Sequence, residues 1–189
     1  MNRDSHGLLP AAIVVTIAAA VPANASVYLT ADAAMRRLFP AADAWEGTPV
    51  VLNDAQRADV AKRAGSQAAH GQLRAWTARA QGKVIGHVFI DEVVGRQDFI
   101  TYAVGVDASG KLTPVEILEY RESHGGEIRN DRWLAQFSGR ASVDSLRFRT
   151  DVKNIAGATL SSEHVTAGVR RILALWQSAF ADAANNPSR

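Results

Sequence analysis

The stretch NIAGATLSSEHV, residues 154–165, places three hydroxyl side chains, Thr159, Ser161 and Ser162, just after a glycine and two alanines. Gly157 and Ala158 leave the approach to Thr159 uncrowded, so a bulky group can reach its hydroxyl. Ser161 or Ser162 can cap a helix that follows, and Glu163 is favoured in its first turn by the dipole. Thr159 then stands a few residues ahead of free backbone N–H groups, a place that suits a phosphate. There is no GxxxxGK followed by Ser or Thr, which excludes a Walker-type nucleotide loop. By itself such a turn is the ordinary entry to a helix, so other residues have to carry the assignment.

His124-Gly125-Gly126 reads as a strand-ending turn. Trp133 and Phe137, spaced i, i+4, would share one face of a short helix. His164 falls in the first turn of the last helix. Protonated, it would oppose the dipole but favour a nearby phosphodiester, although a solvent-facing histidine is the simpler reading. His6, His70 and His87 show no ligand spacing among themselves or with carboxylates, so no metal is expected. The Ser161, Ser162 and His164 set lacks a nucleophile elbow, which argues against hydrolase chemistry. With no cysteine in the chain, disulfides, iron–sulfur clusters, thiolate zinc and cysteine nucleophiles are all excluded. Net charge is only +2 and no Lys/Arg cluster is interleaved with aromatics, so nucleic acid is not an expected partner.

The elements that must position these residues follow from periodicity. Residues 29–40 read as a short helix capped by Thr30 and stopped by Pro40, and residues 52–65 as a second, with Asn53 or Asp54 as cap and Gly65 at its end. WEGTPVV between them reads as a connector. The texture then turns to period two. Residues 73–80, 83–94, 98–107 and 113–122 are rich in β-branched and aromatic residues and are joined by short loops, the pattern of an antiparallel meander. A short helix is expected within NDRWLAQFSGR. From Glu163 to about Ala183, Val165, Val169, Ile172, Leu173, Trp176 and Phe180 form one apolar stripe that should pack on the sheet. The fold class expected is α+β, one domain with a long C-terminal amphipathic helix.

At 189 residues, 47% hydrophobic and 21% charged, the chain is an ordinary globular length and composition for one domain. Its first 25 residues read as an exported protein's signal peptide. A weakly positive start leads into the apolar run of residues 8–22, and Ala23-Asn24-Ala25 supplies a small-x-small cleavage signal. The run falls short of the ~20 apolar residues that span a bilayer comfortably. Cleavage before Ser26 is expected, leaving residues 26–189 as the mature domain outside the cytoplasm; an uncleaved membrane anchor is the lesser alternative.

AGATLSS, residues 156–162, followed by an apolar helix, resembles the flavinylation motif of the FMN-binding domain family. The best-known members are subunits of the sodium-pumping NADH:quinone oxidoreductase and of the ion-pumping Rnf complex. EYRESHGGEI, residues 119–128, resembles the family's strand ending in a His-containing glycine turn. Trp133, Phe137 and Gly139 follow at similar spacing, and the two N-terminal helices also match. The resemblance implies FMN as cofactor, esterified through its phosphate to Thr159 by a dedicated flavin transferase that uses FAD. It further implies a cofactor-binding set of His124, Gly125, Gly126, Glu127, Gly157, Ala158, Leu160, Ser161 and Ser162, with Trp133 or Phe137 forming part of the flavin wall. Where the family often carries Ser or Thr three residues before the acceptor, this chain has Ala156. Where it often carries Asp six residues before, this chain has Lys153, and the nearest acid is Asp151.

The function this implies is an exported electron-transfer domain working with membrane or periplasmic partners. Thr159 is then an attachment point, and no side chain is catalytic. The alternatives are a flavin-dependent reductase of a small substrate and a flavin-free binding module. Colour separates the last from the other two.

Overall fold

The computed structural model describes residues 26–65, 73–122 and 124–181. The expected signal segment, His6, His70 and the last two residues of the expected final helix lie outside them. Six strands form one antiparallel sheet in the order β1-β6-β5-β4-β3-β2. They are β1 (Ser26–Val27), β2 (Ala44–Thr48), β3 (Arg74–Ala80), β4 (Lys83–Val94), β5 (Phe99–Asp107) and β6 (Leu112–Tyr120). The helices are α1 (Ala31–Leu38), α2 (Asp54–Ala64), α3 (Asp131–Leu134) and α4 (Thr159–Ala179). The α+β expectation holds.

The meander arises from local turn chemistry. Gln81 and Gly82 both adopt positive φ, 52° and 76°, the left-handed pair that closes a two-residue hairpin with the twist of its strands. Asp107 Oδ1 accepts from the N–H groups of Ser109 and Lys111 and so closes the β5–β6 turn. Pro114 sits where the β5–β6 register shifts, a bulge at which the missing N–H costs nothing.

Alternation along the strands sends two apolar faces in opposite directions. On one face α1 buries Ala34, Met35 and Leu38 against Val88, Ile90, Ala103 and Leu118. On the other, Phe89, Val93, Tyr102 and Val104 meet Val165, Val169, Ile172 and Leu173 of α4. The sheet is therefore sandwiched between α1 and the α4 layer, with α2 packed along α4.

Several expectations need correcting. Residues 44–48 are not connector but the edge strand β2, paired to β3. AWEGT has no alternating apolar pattern to announce a strand; pairing with β3, with Trp45 packed beside Phe39 and Thr48 bonded to Thr77, makes it one. The last meander strand ends at Tyr120, two residues before the expected end. The short helix stops at Leu134, so Trp133 and Phe137 meet edge to face across the turn that follows it, not along one helix. The last helix begins at Thr159 and not at Glu163, and no side chain caps it. Ser161 and Ser162 are buried inside its first turn, where neither can act as the cap. Thr30 and Asn53 do cap α1 and α2 as expected, Asn53 through a capping box with Gln56.

Candidate functional site

Three segments converge at the start of α4. The β4–β5 hairpin brings Arg96 and Gln97, the end of β6 brings Glu122 and His124, and the 153–158 loop brings Gly157 and Ala158. Each is held by a specific bond. Glu122 Oε1 accepts from the N–H groups of Gln97 (2.6 Å) and Asp98 (3.0 Å), which fixes the hairpin. Trp133 Nε1 donates to the Lys153 carbonyl at 2.6 Å, and the Lys153 N–H donates to Gln136 Oε1 at 2.9 Å, which pins the loop to α3. Arg140 spreads its guanidinium over the carbonyls of Gln136, Ser145 and Asp151 and closes the base of the same loop.

Within this frame the three hydroxyls separate. Ser162 Oγ donates towards Asn154 Oδ1 (3.1 Å) and the Thr159 carbonyl (3.0 Å), and Ser161 Oγ lies 3.2 Å from Tyr120 Oη. Both are buried. Thr159 is half-buried at the first position of α4, and its Oγ1 has no hydrogen-bond partner among the described residues. Of the three, only Thr159 is presented to an outside group. His164 is not solvent-facing: it is half-buried one turn further on, its Nδ1 against the Val94 carbonyl.

Three adjoining hollows run past Thr159. The first, about 410 Å³, holds Arg96, His124, Gly157, Thr159 and Leu160. The second, about 620 Å³, shares His124 and Gly157 with it and adds Gly125, Gly126 and Glu127. The third, about 560 Å³, shares Glu127 and continues to Trp133, Lys153 and Ile155. Through these shared residues they adjoin as one open groove, and each hollow alone is within the range of about 300–1,000 Å³ typical of small-molecule pockets. Phe137 is fully buried behind Trp133, so it backs the groove and does not surface in it.

Residues 95–174 match the model of the FMN-binding domain family. The match indicates an FMN-binding domain in this segment, with FMN as the cofactor it implies. The match begins at the hairpin after β4 and ends inside α4, so it takes in every wall of the groove. A component of the Na(+)-translocating ferredoxin:NAD(+) oxidoreductase complex of Acetobacterium woodii is 23% identical over 159 residues. That alignment covers 79% of this chain and 75% of the Acetobacterium protein.

The donor set of the FMN-binding domain fits its cofactor. A helix start with no side-chain cap leaves first-turn N–H groups and the positive end of the dipole for a phosphate, and Arg96 adds a cation at the same hollow. Gly126 has nothing within 4 Å of where a Cβ would stand, so that side of the glycine turn is open. The residues found only through the fold are Arg96, Gln97, Glu122, Asn154 and Tyr120; the sequence marks the first two merely as a hairpin loop. The departures from the family pattern are also placed. Ala156 and Lys153 are exposed, and Asp151 is turned away into a pair with Arg147 at 2.8 Å, which lowers its pKa to about 2. Among the described residues no group of His, Asp or Glu is placed to hold a metal, and no helix is long and apolar enough to cross a membrane.

Proposed function

We propose that the chain is an exported electron-transfer protein whose FMN is joined through its phosphate to Thr159. The observation that carries this is the open Thr159 hydroxyl at the uncapped start of α4, inside the segment matched by the FMN-binding domain. In the attachment, Thr159 Oγ1 forms a new bond to the FMN phosphorus of FAD. The pyrophosphate P–O bond breaks, AMP leaves, and the hydroxyl proton passes to a base of the transferase. Bound FMN supplies reversible electron exchange, and the protein supplies attachment, orientation and electrostatic surroundings.

The Thr159 end of the groove would hold the phosphate, with the α4 amides and Arg96 as its donors, and the glycine turn and Trp133 would line the space left for the ring. Tethering by the phosphate keeps the cofactor in a compartment where free FMN would be lost. The name of the similar Acetobacterium protein, part of an oxidoreductase complex, supports a relay that works against protein partners in or at a membrane. Cleavage before Ser26 would release the domain with β1 intact.

Intact-mass measurement after co-expression with a flavin transferase tests the bond, and anaerobic spectroscopy then tests the relay. The expected results are a mass gain of one FMN phosphoester, ready reversible reduction by dithionite, and slow reduction by NADH. Rapid turnover of NADH with a small acceptor would make the protein a self-contained reductase. A colourless product of unmodified mass would leave only a flavin-free binding module.

A further inference from the structure

Tyr120 is absent from the cofactor set assigned above, yet its hydroxyl joins three walls of the groove. It is the last residue of β6, paired to Ile100 of β5, and only 2% of it is exposed. Its Oη donates to the His124 carbonyl at 2.5 Å. Burial raises its pKa above the ordinary phenol value, outweighing the opposing Ser161 bond, so the proton stays on the oxygen. With that proton committed to His124, the contact with Ser161 Oγ at 3.2 Å has the serine as donor.

Gly125 closes on the same point from outside. A Cβ there would stand 2.5 Å from Tyr120 Oη and 3.2 Å from the Ala158 Cβ, and its φ of +91° is already a glycine conformation. The turn bearing His124, the end of β6 and the first turn of α4 therefore meet at one phenol oxygen.

We propose that Tyr120 is a positioning residue for the flavin. Its hydroxyl sets the distance between the His124–Gly126 turn, which lines the middle of the groove, and the first turn of α4, which presents Thr159. The proposal rests on the FMN reading above. The covalent bond must form at Thr159 while the ring lies against the glycine turn, so the spacing of the two decides whether both fit at once. Displacements near 1 Å are enough to slow a positioned reaction substantially.

The test compares Tyr120→Phe with Tyr102→Phe, a buried tyrosine on β5 away from the groove, and with Ser161→Ala. In the flavin-free protein, amide hydrogen exchange in Tyr120→Phe should rise about tenfold at residues 124–128 and 159–162 and stay unchanged in the central strands. With transferase and FAD, attachment to Tyr120→Phe should slow by about tenfold, and the bound flavin's visible spectrum and potential should shift. Ser161→Ala should give a smaller change of the same kind. Tyr102→Phe should lower Tm while leaving attachment rate and spectrum at wild-type values. Wild-type exchange, rate and spectrum in Tyr120→Phe would overturn the proposal, as would equal slowing in Tyr102→Phe. If the wild-type protein took up no flavin, the FMN reading would fall, while the exchange data would still decide whether Tyr120 holds the two walls together.

Discussion

Two tyrosines lie beneath α4 and do different work. Tyr120 sits at the helix start, where its buried hydroxyl bonds two segments that line an open groove. Tyr102 sits under the middle of the helix and is completely enclosed. It donates to Asp91 Oδ2, the same oxygen that Arg171 Nη2 reaches from α4. Gly168 makes the room: a Cβ there would collide with Tyr102 Oη. Burial, helped by the Asp91 charge, raises the Tyr102 pKa well above its ordinary value, so the phenol remains a donor. Asp91 is wholly buried and Arg171 partly so, and Asp91 Oδ1 has no hydrogen-bond partner among the described residues. A sealed polar cluster of this kind costs much desolvation and chiefly fixes how α4 seats on β4 and β5. At the helix start the same residue type orders a surface that a ligand can reach. Both rings are buried, so what separates the two is what each hydroxyl bonds: a sealed ion pair for Tyr102, two segments lining an open groove for Tyr120.

The largest contrast should come from Thr159→Ala. It should remove all covalent flavin, read as in-gel fluorescence after denaturation, while stability changes by no more than about 0.5 kcal/mol. Fluorescence that survives would move the attachment point, although Ser161 and Ser162 are both buried and bonded. Arg171→Met should do the reverse. Leaving the Asp91 carboxylate unpaired should cost about 3–5 kcal/mol in urea unfolding, with flavin per folded molecule unchanged. An unaltered midpoint would mean that the pair does not hold α4 in place.

The two glycines sharpen the comparison at a smaller scale. Gly168→Ala overpacks the core against Tyr102 and should cost about 1–3 kcal/mol without altering the flavin spectrum. Gly125→Ala should cost a similar amount, about 1–3 kcal/mol, through its positive φ. It should also change the spectrum, because the strain falls on the groove wall. Identical spectra in the two variants would erase the distinction.

A pH dependence is expected away from the groove, with no bearing on the flavin. His87 is buried beside Phe180 and accepts from Trp176 Nε1 at 3.2 Å. Desolvation, reinforced by Arg79, lowers its pKa from 6.5 to about 4. Between those values the unfolded chain takes up a proton that the native state refuses, so stability falls as pH drops from 6.5 towards 4 and levels off below. Above 6.5 His87 contributes no slope. Asp151, with its pKa lowered from 3.8 to about 2 by Arg147, adds stability above 3.8 that is lost only as pH falls towards 2. The two windows do not overlap. Thermal melts between about pH 7.5 and 4.5 should show the first slope, and His87→Phe should flatten it.

Much of this architecture is legible in the chain itself. Thr30 and Asn53 cap helices because their side chains reach only a few residues. Gln81-Gly82 turns a hairpin for the same local reason. The stripe from Val165 to Phe180 repeats with a helical period and therefore names its own buried face. Thr159 stands out by its small neighbours and its resemblance to a known attachment motif. What a short window does not contain is whatever depends on a distant partner. Edge strand β2 exists because β3 offers it hydrogen bonds, and α4 starts four residues early because the loop before it is pinned by Trp133 and Arg140. Whether a hydroxyl at that helix start is open or buried depends on what packs over it, and the burial of Ser161 follows from Tyr120, which arrives from 41 residues away. The sequence by itself determined the main helices, the meander and the candidate attachment residue, since local sterics, periodicity and a short motif decide those. Which hydroxyl faces outward, which hairpin supplies the cation and which tyrosine stands behind the groove were set by the tertiary structure, because burial and hydrogen bonding there come from segments far apart in the chain.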